Sequence, residues 1–185
     1  MKKGTVLVLV ITISILSCSN PKQSPLPPYF DLQGYINGQV KTLTANKYSI
    51  VKNVSVNEKK EEHPITLPDW KQELQPFIDA DINKPSWRGN FNVDTVYEIN
   101  ADTEKVVTYT TAIPDIRTKK LALHYDVHTG VITEIEIHNL TDNVLYHFEQ
   151  QLFYFPMKKY FISTSEKVVL LNPSVMKIDG SIQTN

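Results

Sequence analysis

Several things are scarce in this chain of 185 residues, and each scarcity removes a class of function. There is a single cysteine, Cys18, so no disulfide can staple the domain and no paired-cysteine metal site can form. Stability must come from a packed core, and 41% apolar content is enough to build one. Arginine occurs only at Arg88 and Arg117, and 19 basic residues face 20 acidic ones. Such a chain lacks the basic footprint of a nucleic-acid binder. The six glycines are scattered, so no glycine-rich loop is available to cradle phosphate. No HExxH or GxSxG signature occurs, and carboxylates are paired only in surface runs. The longest apolar run, Val6 to Leu16, is too short to span a bilayer.

That run is nevertheless the most specific feature present. Lys2 and Lys3 precede it, which gives the basic-then-apolar order of a secretory signal. It ends in Ile15-Leu16-Ser17-Cys18: a branched apolar residue, an apolar one, a small one and the cysteine. This arrangement resembles the lipobox of bacterial lipoproteins. The resemblance implies cleavage after residue 17, diacylation of Cys18 through sulfur, and usually a further acyl chain such as palmitate on its amino group. Two or more acyl chains hold a protein on a membrane where one does not, at about 0.8 kcal/mol per buried methylene. By the sorting rules of that family, Ser19 in place of aspartate implies the outer membrane of a Gram-negative cell envelope. The alternative is an ordinary signal peptide followed by an incidental cysteine.

Residues 18–29 carry Pro21, Pro25, Pro27 and Pro28 among polar residues. Proline-rich chain favours extended polyproline II, at about 3.1 Å per residue, and reads as a tether. A proline-recognition ligand is the sharper and weaker reading. Residues 30–185 then form one domain.

Within it, Leu32, Ile36, Val40 and Leu43 recur at helical spacing behind Asp31, which predicts an amphipathic helix over 30–46. Tyr48 to Val56 alternates as a strand does. The charged run from Asn57 to Glu62 reads as a hairpin tip, with a short edge strand returning from Pro64 to Leu67. Thr66, Pro68 and Asp69 form a helix start, with threonine as the expected cap; Pro76 splits the helix that follows into two pieces. From Asn92 onward the pattern keeps a period of two. Strands are expected at Val93–Ile99, Lys105–Thr111, Leu121–Val127, Val131–Ile137, Val144–Phe155, Tyr160–Ser165 and Val175–Ile182, with a short one at Val168–Leu171. A three-residue loop His128-Thr129-Gly130 sets Val127 against Val131, Tyr125 against Thr133 and Leu123 against Ile135. Helical segments followed by closely spaced strands define an α+β domain with a large curved antiparallel β-meander; a lipocalin-like β-barrel is the alternative.

Three groups of residues are candidates for chemistry. Asp79-x-Asp81-x-Asn83 opens like a calcium loop, but Lys84 stands where the turn glycine belongs and Asn90 where the bidentate glutamate belongs, so a helix end is the better reading. His124 opposite Glu134 and Lys120 opposite His138, with Asp126, His128 and Glu136 nearby, form a polar sheet face. One His–Glu pair gives zinc only two ligands, so a solvated face is favoured. His63 and His147 have no partner pattern. Seven of the 18 aromatics lie between Tyr146 and Phe161. Of these, Tyr154, Phe155 and Phe161 are the candidate lining of an apolar-ligand pocket, against the plainer expectation of a packed core.

The resulting expectation is a lipid-anchored envelope lipoprotein whose domain binds or interacts without catalysis. Its partners would be the membrane, through lipid on Cys18, and an envelope protein or apolar ligand. No cofactor, metal or nucleic acid is implied. A carrier or sensor of an apolar ligand is the second expectation, and a hydrolase or metal enzyme with dispersed residues the third.

Overall fold

A computed structural model of the chain describes residues 28–57, 59–98 and 104–184. The signal at 1–17, Cys18 and the tether as far as residue 27 lie outside the described residues.

Helix α1 (Leu32–Ala45) forms where its apolar spacing placed it. The Asp31 carboxylate accepts the Gly34 N–H at 2.8 Å and caps the first turn. Leu32, Ile36 and Leu43 are fully buried. Strand β1 (Ser49–Val56) follows and turns into β2 (Lys59–Ile65). Most of the charged run therefore belongs to an exposed edge strand, and the hairpin tip is shorter than expected. Helices α2 (Trp70–Glu73) and α3 (Gln75–Asp79) divide at Leu74, as Pro76 requires. The cap of α2 is Asp69, which accepts the N–H groups of Lys71 and Gln72; Thr66 lies too far upstream for that role. A 3₁₀ turn at Pro85–Trp87 completes the helical segment.

Seven strands follow in unbroken succession: β3 (Asn92–Glu98), β4 (Glu104–Thr110), β5 (Thr118–Asp126), β6 (Ile132–Asp142), β7 (Tyr146–Phe155), β8 (Lys159–Val168) and β9 (Ser174–Gln183). They meander, each beside the next, and β9 then pairs with β1. The nine-stranded order is β2-β1-β9-β8-β7-β6-β5-β4-β3, antiparallel throughout. The helical segment carries the chain from the β2 edge to the β3 edge. The two edges do not meet, so the sheet is open and the closed-barrel alternative fails.

Three turns differ from the sequence expectation, two of them because a side chain captures the backbone. Asp126 accepts the N–H groups of His128 and Thr129 at 2.9 and 2.8 Å, starting the turn one residue early. The loop is then Val127 to Gly130, with Gly130 at φ 69°. Leu123 and His124 still face Ile135 and Glu134, but Tyr125 faces Ile132, and Thr133 is left over as a bulge. Asn143 likewise accepts the N–H groups of Leu145 and Tyr146, so β7 begins at Tyr146 and Val144 lies in the exposed turn. Val168 ends β8, and no separate strand forms to Leu171.

One sheet face is covered. Ile50, Leu121, Leu123, Ile135, Ile137, Leu152, Tyr154, Tyr160 and Ile162 pack against Leu32, Ile36, Trp70, Leu74 and Phe77 of the helices. Period two sends their neighbours to the opposite face. The domain is a two-layer α+β structure, dominated by the sheet.

Candidate functional site

The aromatic strands divide between the two faces. Tyr154 is fully buried under the helices and donates its hydroxyl hydrogen bond to Gln39 at 3.2 Å. Burial pushes its hydroxyl well above the usual tyrosine range. Its ring lies 5.6 Å from that of Phe77. Phe155 and Phe161 point the other way and remain half-buried. The three residues expected to line one pocket are thus not brought together. Tyr154 is core, packed among the buried side chains of the helix-covered side. Any space for a ligand at Phe161 lies on the uncovered face.

Such a space exists there. A half-open groove of about 1020 Å³ runs over β2, β1, β9 and β8. Strand register explains its composition. One cross-strand row sets Lys60, Ser55 and Lys177 side by side; the next sets Asn53, Asp179 and Phe161. Val175 closes the end near Asn57, whose backbone N–H donates to the Val175 carbonyl while its side chain accepts the Val175 N–H. Phe153, partner of Phe161 across β7 and β8, extends the apolar floor with ring centroids 6.3 Å apart. The groove therefore offers an aromatic platform, two ammonium groups, one carboxylate and several neutral hydrogen-bonding groups. Apart from Phe161, sequence reasoning missed these residues. Alternation marked them as outward-facing, but it could not show that β9 returns to lie against β1.

The histidine-rich face is arranged as separate pairs. His124 lies 3.1 Å from Glu104 on β4, although its register partner on β6 is Glu134. His138 lies 2.9 Å from Glu149 on β7. Lys120 pairs with Glu136 at 2.7 Å. His147 is 3.2 Å from Asp142, and His63 is 3.2 Å from Glu61. Burial raises the Glu134 carboxyl, with His124 pulling it back and Glu136 and Glu104 pushing it further. Among the described residues no three or more His, Cys, Asp or Glu side chains converge as a metal site would need. The Asp79–Asn83 segment is a structural joint. Asp81 accepts the Asn83 N–H, while the Asn83 side chain donates to the Phe30 carbonyl and accepts the Tyr29 N–H.

A buried polar row on the helix-side face also went unforeseen. Thr118, Asn139, Gln150 and Thr164 are cross-strand neighbours from β5 to β8. Asn139 donates to Gln150, and Gln150 donates to Thr164, both at 3.1 Å. Arg117 closes this end by lying 4.6 Å over the Phe148 ring.

The fold is a small two-layer domain with its core between helices and sheet and a half-open, mixed-polarity groove on the uncovered face. Compared with protein-family models, with curated proteins and with solved structures, the chain finds no match.

Proposed function

We propose that this chain is a lipid-anchored lipoprotein of the cell envelope, held through acyl chains on Cys18 in the outer membrane of a Gram-negative bacterium. Its domain binds a partner or ligand and does not catalyse. The support for the anchor is Ile15-Leu16-Ser17-Cys18 behind a basic and apolar leader, followed by the proline tether. The observation that carries the binding reading is the groove beside Phe161 on the uncovered face. It combines apolar floor with ammonium groups at Lys60 and Lys177 and neutral polar groups at Asn53 and Ser55. A few placed polar groups around an apolar floor are what a binding site requires.

The carrier reading is favoured by one observation, the half-buried Phe153–Phe161 pair on that face. An apolar ligand would rest on these rings and leave Tyr154 untouched.

Metabolic labelling with palmitate tests the anchor. Label is expected on the wild-type chain and lost in Cys18→Ser; label persisting in that variant overturns the assignment. Titration with the fluorescent anion 1-anilinonaphthalene-8-sulfonate tests the groove. Phe161→Ala and Lys177→Glu are each expected to weaken binding several-fold with an unchanged circular dichroism spectrum. Equal binding by both variants removes the groove as the site.

A further inference from the structure

The two edges of the sheet are built differently. β2 carries Lys59, Lys60, Glu61, Glu62 and Pro64, devices that block pairing with another strand. β3 reads Asn-Val-Asp-Thr-Val-Tyr-Glu, with no lysine and no proline. Val93, Val96 and Tyr97 are 55%, 49% and 59% exposed, a high level for apolar side chains on a seven-residue strand.

The free hydrogen-bonding groups of β3 can be identified. The Thr95 N–H is taken by the neighbouring Asp94 side chain at 2.9 Å, so it points away from β4. In agreement, the Thr111 N–H donates to the Lys119 carbonyl on β5, which by alternation turns the N–H groups at 110, 108 and 106 toward β3. Those three residues face Asn92, Asp94 and Val96. Val93, Thr95 and Tyr97 therefore present their amide and carbonyl groups to the open edge.

We propose that β3 is a self-association edge, pairing antiparallel with β3 of a second copy about a two-fold axis through Thr95. In that register Thr95 faces Thr95 of the second copy, Val93 faces Tyr97, Asp94 faces Val96, and Asn92 faces Glu98. The outward-facing backbone groups pair in about six hydrogen bonds, each Thr95 N–H exchanging the Asp94 carboxylate for the facing Thr95 carbonyl. Val–Tyr pairs are favourable cross-strand neighbours, and no like charges stand directly opposite. A two-fold interface needs one patch complementary to itself, and this strand is one. A second copy supplies the same bare edge, which a β2-type edge cannot match.

Sedimentation equilibrium of the full chain in density-matched non-ionic detergent reads the result. Wild type is expected to show a concentration-dependent dimer. Thr95→Lys and Thr95→Glu each place like charges opposite one another across the axis and are expected to weaken association about fivefold or more. Their equimolar mixture is expected to restore it. Circular dichroism on each variant separates misfolding from lost pairing. A wild type that stays monomeric, or folded variants whose mixture fails to re-associate, overturns the proposal. So does a β3 edge found occupied by a foreign strand.

Discussion

Gly180 shows how much a single residue can determine here. It faces Tyr160 across β8 and β9, and the Tyr160 ring lies over its backbone. A Cβ at this position would stand 2.5 Å from the ring and 2.9 Å from Ile50. The space glycine leaves is what lets Tyr160 reach the Glu73 carboxylate, to which it donates a hydrogen bond, while Lys52 pairs with Glu73 at 2.8 Å. Gly180→Ala is expected to lower stability by about 2 kcal/mol, read as a lower urea midpoint at unchanged slope. The tyrosines also set an alkaline limit. Burial pushes Tyr35 up to about 12, and pushes Tyr154 and Tyr160 higher still, from an ordinary value of 10.0. Above pH 10 the unfolded chain sheds protons that the folded chain keeps. Their stabilisation is therefore complete below pH 10 and is lost as pH rises past it. Urea midpoints measured between pH 8 and 11 are expected to fall more steeply for wild type than for Tyr154→Phe. Parallel profiles would contradict this.

At the scale of elements, periodicity in the sequence served well and turn chemistry less well. The spacing of Leu32, Ile36 and Leu43 marked α1, and Pro76 marked the break between α2 and α3. Strands β3 to β9 followed from alternation. The misplaced boundaries at Asp69, Asp126 and Asn143 share one cause: a short polar side chain competes for backbone N–H groups and moves the turn by a residue or more. Alternation also placed Tyr154 and Phe155 on opposite faces, since they are adjacent on one strand. Grouping them in one pocket overlooked the pleat. The helix layer depends on α3, where Phe77 lies against both Tyr154 and Tyr160. Phe77→Ala is expected to cost about 3–5 kcal/mol in denaturant unfolding, because the rigid sheet beneath cannot collapse into the space.

For the whole molecule, strand order sets where stability lies. β6, β7 and β8 have partners on both sides and sit at the middle of the sheet, whereas β2 and β3 have one partner each. Hydrogen exchange followed by mass spectrometry is expected to show slowest exchange in β6 to β8 and fastest in β2 and β3. Uniform protection across the sheet would contradict this. Under the proposed pairing, β3 would gain protection as protein concentration rises. The sequence alone determined β1, β3 to β9 and the alternation of their two faces, because period two is a local property of the chain. It also specified the N-terminal pattern at Ile15-Leu16-Ser17-Cys18. Tertiary structure decided which face the helices cover, that β9 returns to β1, and that the sheet stays open. It also brought Lys60, Lys177 and Phe161 around one groove. Those outcomes depend on contacts between residues distant in sequence, Ile50 with Ile182 and Phe77 with Tyr154 among them. Local pattern carries no record of which distant strand supplies the partner.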